Sequence, residues 1–167
     1  MTPAAAMLGL VTLERLGELL WGQRNAARLL AAGAVEHGRG HYPAMVALHA
    51  AWLAGLWLLA WDRPVVWAWL GAYAALQVLR AWVLATLGQR WTTRIVVLPG
   101  APLVRAGPYR LLRHPNYAVV TGEVAVLPLA FDLPWYALAF SILNAAMLAV
   151  RIRAEDAALA ASRGSGG

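Results

Sequence analysis

The chain alternates between apolar stretches about as long as a bilayer is thick and shorter polar segments rich in Arg, Gly and Pro. The apolar stretches cover residues 3–21, 43–61, 65–87, 115–130 and 135–150. A helix rises about 1.5 Å per residue, so about 20 apolar residues cross a hydrocarbon layer about 30 Å thick. The pattern predicts an all-α integral membrane helical bundle with about five transmembrane helices. The fourth is short, so we expect a locally thinner bilayer or a protein interface there.

The composition agrees with a membrane location. Apolar residues make up 61% of the chain, against about 45–50% in soluble domains, and nine Trp favour membrane interfaces. The net charge is +6, but the arginines lie between apolar runs rather than on one polar face, which argues against nucleic-acid binding. The absence of Cys excludes disulfides and thiol chemistry. We expect one domain over residues 1–163, a flexible Gly/Ser tail over 164–167, and no signal peptide.

The arginines also predict an orientation. Eleven lie in segments 22–42 and 88–114 and in the C-terminal segment, whereas the two opposite connections carry only Arg63. With five spans, the three Arg-rich segments share one side. The positive-inside rule makes that side cytoplasmic, so we expect an inner-membrane protein with its polar segments facing the cytosol.

Residues 104–123, VRAGPYRLLRHPNYAVVTGE, concentrate turn residues, cations, aromatics and an acid. Gly107-Pro108 is a turn signal. His114-Pro115 predicts a break followed by a helix that begins at Pro115, because Pro disfavours helical geometry before it and suits the first helical position. Free N–H groups at a helix start favour an anionic or strongly polar ligand.

Two segments carry a resemblance to a known family: Gly107-Pro108-Tyr109-Arg110 with Arg113-His114-Pro115-Asn116-Tyr117, and Arg151-Ile152-Arg153-Ala154-Glu155-Asp156. They resemble the signature of the isoprenylcysteine carboxyl methyltransferase superfamily, integral membrane enzymes that use S-adenosylmethionine. The N-terminal half is similar to a small bacterial branch that accompanies type III polyketide synthases and methylates alkylpyrones and alkylresorcinols. Positions that carry this second similarity are Asn25, Gly33-Ala34, Glu36, Gly38, His41-Tyr42, Met45-Val46 and His49.

The resemblance implies a role for each matching residue. The cofactor-binding residues are Val104, Gly107, Tyr109, Arg113, His114, Asn116, Tyr117 and Glu155. The catalytic residues are Arg151, Glu155 and His114, and the substrate-binding residues are His41, His49 and Glu123. Arg151 and Glu155 are spaced i,i+4, so both can face one site. A resorcinol hydroxyl would benefit from a base, for which His114 or Glu155 is the candidate.

Charged residues inside the predicted spans leave alternatives open. Glu14, Arg15 and Glu18 indicate an ion pair inside the bundle, a helix end near the lipid headgroups, or the polar lining of a substrate cavity. Arg80 is expected to face the bundle or to snorkel, with an acid of the first span as its partner. His49 is either a hydrogen-bonded core residue or a functional group.

The polar segment 22–42 is predicted to hold a short interfacial helix around residues 24–32 that Gly33 closes, followed by a loop. No metal site is expected there, because Gly38 and Gly40 argue against one helix carrying His37 and His41. Residues 94–98 are predicted to form a short extended piece before Pro99-Gly100.

The sequence favours a membrane O-methyltransferase for a lipid-tailed polyketide. The alternatives are a methyltransferase for an isoprenylcysteine carboxylate or a phospholipid amine, a nicotinamide-dependent membrane reductase, and a scaffold or transporter subunit without enzymatic activity. The Gly-rich motif of soluble Rossmann methyltransferases is absent from the sequence.

Overall fold

The computed structural model describes residues 2–164, with side chains through residue 162, and that range contains five α-helices and a two-stranded antiparallel sheet. The elements are α1 (Pro3–Ala31), β1 (Val35–His37), α2 (Tyr42–Ala60), α3 (Trp67–Leu87), β2 (Ile95–Val97), α4 (Pro115–Leu129) and α5 (Pro134–Gly164). Glu36 lies opposite Val96 at the centre of the sheet. The predicted tail lies outside the described residues except for Gly164, which ends α5.

Helix boundaries follow the local sequence. The Thr2 hydroxyl caps α1 by accepting a hydrogen bond from the Ala5 N–H at 3.1 Å, and α4 begins at Pro115 as predicted. By length and composition, α2, α3 and the 134–162 part of α5 qualify as membrane spans among the described residues. α1 carries charged residues and α4 has only 15 residues, so neither helix qualifies as a span by these criteria. A bundle with five spans therefore remains a prediction.

Two local predictions in the polar segment are wrong. A separate helix over 24–32 does not form, because α1 runs unbroken through Gly22 before Gly33, at a φ of 91°, closes it. Gly22 is needed for packing: an added Cβ would lie 3.0 Å from the Trp91 ring and 3.2 Å from Thr93. The segment after α1 is not wholly a loop either, because β1 pairs with the predicted extended piece that contains β2.

The apolar core occupies the end of the bundle remote from Pro115. Its residues come from α1 to α4 and the turn after α4: Ala4, Leu8, Val11, Trp52, Leu56, Ala60, Tyr73, Val124, Leu127 and Phe131. Outside the core, large apolar side chains stay exposed, for example Leu58, Trp67 and Trp135 at 80%, 71% and 80%. An outer surface of this kind is typical of helices that face lipid.

Candidate active site

The two signature segments meet where α4 begins and α5 passes beside it. The Tyr117 hydroxyl donates a hydrogen bond to Glu155 Oε2 at 2.5 Å. The His114 ring stacks on the Tyr117 ring with centroids 5.5 Å apart, and its Nδ1 lies 3.8 Å from the same Glu155 oxygen. One carboxylate of α5 therefore faces two aromatic side chains at the N-terminus of α4.

Asp156 forms a second link between the loop before α4 and α5. Arg113 Nη2 donates to Asp156 Oδ1 at 2.9 Å, and His114 Nε2 lies 3.4 Å from that oxygen without making a hydrogen bond. Asp156 is not among the predicted site residues, although it directly follows the predicted Glu155. The two neighbouring acids thus have different partners: Glu155 accepts from Tyr117, and Asp156 accepts from Arg113.

Arg151 is buried, at 5% exposure, and reaches across to the loop before β2. Its Nη2 donates to the Thr93 carbonyl oxygen at 3.1 Å, and its guanidinium lies 5.8 Å from the centre of the Tyr117 ring. No nitrogen of Arg151 lies within 4.0 Å of a Glu155 oxygen among the described side chains. The i,i+4 pair therefore faces one site as predicted, but each member has its own partner.

A first cavity of about 370 Å³, termed the loop cavity, opens between β2, the segment before α4, and α5. Eight predicted site residues line it: Val104, Tyr109, Arg113, His114, Asn116, Tyr117, Arg151 and Glu155. Gly107 is not part of the lining. Gly107 has a φ of 54°, and an added Cβ would lie 2.3 Å from Thr86 Oγ1. A glycine is therefore required at this position by the backbone conformation and by the close packing against α3.

The loop cavity fits a small ligand with several polar groups. Its volume falls within the roughly 300–1,000 Å³ of small-molecule pockets. Among the described residues, five buried polar atoms of the lining have no hydrogen-bond partner: Trp91 Nε1, Arg94 Nε, His114 Nε2, Asn116 Oδ1 and Arg151 Nη1. Burial, and secondarily the Glu155 carboxylate, raises the pKa of Tyr109, which keeps its hydroxyl protonated. S-adenosylmethionine carries an amine, a carboxylate, a sulfonium and an adenine, and the donors, the carboxylate and the rings of this cavity suit those groups.

A second cavity of about 300 Å³, termed the bundle cavity, lies among the five helices. His49 and Glu123, both predicted to bind substrate, line it, together with apolar side chains such as Val46, Leu53 and Val120. His41 lines neither cavity. Burial, and secondarily the charge of Arg151, lowers the pKa of His41, so its ring stays neutral at neutral pH.

An ionic cluster of Arg15, Glu18, Arg80 and Glu123 forms part of the bundle-cavity wall. Arg80 bonds to Glu18 and, at 2.8 Å, to Glu123. Arg15 lies 3.3 Å from each of the same two acids, and Gln77 donates to Glu123 at 2.8 Å. The predicted pairing of Arg80 with an acid of the first helix is confirmed. The alternative of an ion pair inside the bundle is confirmed for the charges of α1, and they also line a cavity; that this cavity holds a substrate stays a prediction.

The two cavities share a wall. Five residues line both: Trp91, Thr92, Asn116, Tyr117 and Arg151. Trp91 and Thr92 of this wall, and Thr93 beside it, were not predicted to take part in the site. This segment acts partly through a backbone carbonyl, for which a sequence offers no side-chain signal, although the predicted extended piece at 94–98 marked the neighbouring strand.

Comparison with known proteins gives two matches. The model of the "Isoprenylcysteine carboxyl methyltransferase (ICMT) family" matches residues 69–161, a range that contains both halves of the site. The "Uncharacterized protein YpbQ" of Bacillus subtilis (strain 168) is similar to this chain, with 39% identity over 159 residues, 92% of this chain and 94% of that protein. No solved structure matches the chain.

Proposed function

This chain belongs to the isoprenylcysteine carboxyl methyltransferase family and is an integral membrane methyltransferase, and from that premise we propose that it moves a methyl group from S-adenosylmethionine to an oxygen of a lipid-tailed acceptor. The acceptor is an alkylpyrone or an alkylresorcinol, the product of a type III polyketide synthase. The resemblance of the N-terminal half to the bacterial branch supports this acceptor. The excess of arginines in segments 22–42 and 88–114 and in the C-terminal segment supports a site that faces the cytosol from the inner membrane.

The shared wall carries the proposal. The loop cavity presents charged and polar side chains that a soluble cofactor requires, and the bundle cavity, which all five helices line, offers apolar side chains to a lipid tail. Five residues line both volumes: Trp91, Thr92, Asn116, Tyr117 and Arg151. A donor and an acceptor bound in these cavities would therefore meet at this wall.

Each group of the cofactor has a matching residue. Glu155 would face its cationic part, with Tyr117 and His114 holding that carboxylate in place. Arg113 and the Asn116 N–H at the start of α4 would bind its carboxylate, and the rings of Tyr109 and Trp91 would flank its adenine. When bound, S-adenosylmethionine supplies an electrophilic methyl group. The protein then contributes mainly position and exclusion of water, because an in-line displacement needs close and collinear reactants.

The test is calorimetry of S-adenosylhomocysteine binding to the purified protein in nanodiscs. We expect the wild-type protein to bind, and Glu155→Gln to weaken binding about tenfold or more, because a hydrogen bond to a charged group contributes about 1.5–3 kcal/mol. Asp62→Asn is the matched control, since Asp62 is exposed and lines neither cavity. A folded wild-type protein that binds NADPH and not S-adenosylhomocysteine would favour a reductase instead.

A further inference from the structure

His49 presents an unprotonated ring nitrogen to the bundle cavity. Its Nδ1 lies 2.9 Å from the Met45 carbonyl oxygen, one turn earlier on α2. A carbonyl oxygen only accepts hydrogen bonds, so Nδ1 carries the proton, and Nε2 of the neutral ring keeps its lone pair. The second of the two readings for His49, a functional group, therefore has a chemical basis.

His49 lines the same cavity as the shared wall and the ionic cluster. It is seven residues into α2 from Tyr42, or ~10 Å along the helix, and lines the bundle cavity. The charges of Arg151 in the shared wall and of Arg15 and Arg80 in the cluster all act on its ring. A polar head group that reaches the shared wall from the bundle cavity would therefore come close to His49.

The ionic cluster offers no surplus cation to an anionic acceptor. Its two arginines, Arg15 and Arg80, are matched by Glu18 and Glu123, and Glu14 lies 3.4 Å from Arg15 as a further carboxylate. A buried anion is costly unless it is paired. Among the described residues, Arg151 in the shared wall is the cation of this lining without an acid within 4.0 Å, so an oxygen anion of the acceptor would pair there rather than at the cluster.

We propose that His49 is the general base that removes the proton from a ring hydroxyl of the acceptor. This inference rests on the proposed function and assigns a further residue to it. The hydroxyl proton passes to His49 Nε2 while the O–H electron pair stays on oxygen. That oxygen forms the new O–CH₃ bond as the C–S bond of the sulfonium breaks and its electron pair goes to sulfur. The imidazolium afterwards releases its proton to water, so one proton is released per methyl group transferred.

The test compares His49→Gln with the matched control His37→Gln, since the His37 side chain lines neither cavity. Each protein receives a 5-alkylresorcinol, a weak acid, and a 4-hydroxy-6-alkyl-2-pyrone, a stronger acid. A positioned base contributes about 10²–10⁴-fold, so we expect kcat of His49→Gln to fall by about that factor on the resorcinol. On the already ionised pyrone we expect a fall of less than about tenfold, because little proton transfer remains. His37→Gln should match the wild-type protein on both.

Binding of S-adenosylhomocysteine to His49→Gln should equal that of the wild-type protein, which separates a lost base from a lost fold. His49→Asn serves the same comparison where His49→Gln does not fold. Equal losses on both acceptors, no loss on either, or a wild-type protein that methylates only the pyrone would overturn the role of His49. If the protein methylates only the resorcinol, added imidazole should restore the activity of His49→Ala. Failure of imidazole to restore that activity would also overturn the role of His49. A wild-type protein that binds no S-adenosylhomocysteine would instead refute the proposed function.

Discussion

Arg80 illustrates how a single residue can be both structural and part of a site. It is 6% exposed, and its guanidinium bonds to Glu18 of α1 and Glu123 of α4. It thereby joins three helices at the depth of the bundle cavity. Charges at such depth are retained when they are paired, and they mark cavities and pathways.

Arg80→Met should destabilise the fold. Removing one partner of a buried ion pair leaves an uncompensated charge and costs about 3–5 kcal/mol, so the thermal unfolding midpoint in nanodiscs should fall by several degrees. Arg24→Met is the matched control, because Arg24 is exposed on α1. Equal midpoints for the two variants would show that the cluster does not hold the helices together.

At the scale of elements, the loop cavity depends on how the segment before α4 is seated on α3. The 3-10 turn Gly107–Arg110 places Tyr109 in the cavity lining and leads into Arg113 and His114. Gly107 allows the turn to approach α3, where Thr86 and Trp82 lie 2.3 Å and 3.1 Å from an added Cβ. A change at Gly107 should therefore alter the cavity without touching the ligand.

Gly107→Ala should cost about 1–3 kcal/mol, because a side chain at this positive φ is strained, and the clash with Thr86 adds to that cost. We expect a lower unfolding midpoint together with weaker binding of S-adenosylhomocysteine. Gly71→Ala in α3 is the control, since an added Cβ there meets no atom within 4 Å. Unchanged midpoint and affinity in Gly107→Ala would refute this role for the turn.

Sequence signals with a local physical cause predicted the elements well. α4 begins at Pro115 because proline suits the first helical position. Gly33 ends α1 through its positive φ. Signals that depend on distant partners failed. The sequence indicates a helix break at Gly22, whereas in the structure Trp91 packs on this residue within an unbroken helix. β1 forms only because β2 pairs with it.

The site follows the same rule. Motif residues such as His114, Tyr117 and Glu155 were predicted to lie together, and they line one cavity. Gly107 belongs to the motif for its backbone rather than for a ligand contact. Thr93 contributes its backbone carbonyl oxygen. Every residue type has this group, so the sequence does not predict the contact.

At the scale of the whole molecule, the arrangement explains why this chemistry would take place in a membrane. α1 to α5 all line the apolar bundle cavity, and the polar loop cavity lies at the end of the bundle where α4 begins. Under the proposed function, a lipid tail would stay among the helices while its head group reached Tyr117 and Arg151. The cofactor would reach the same residues from the other side of the wall.

Methyl transfer from isotopically labelled S-adenosylmethionine to a 5-alkylresorcinol in nanodiscs tests this two-cavity account most directly. The informative variant is Val120→Phe, which adds bulk to the bundle cavity about one turn from Tyr117, and the control is Val78→Phe on the exposed face of α3. The account predicts a labelled O-methyl ether from the wild-type protein and Val78→Phe, and strongly reduced transfer by Val120→Phe despite normal S-adenosylhomocysteine binding. Transfer by Val120→Phe at the wild-type rate would contradict it.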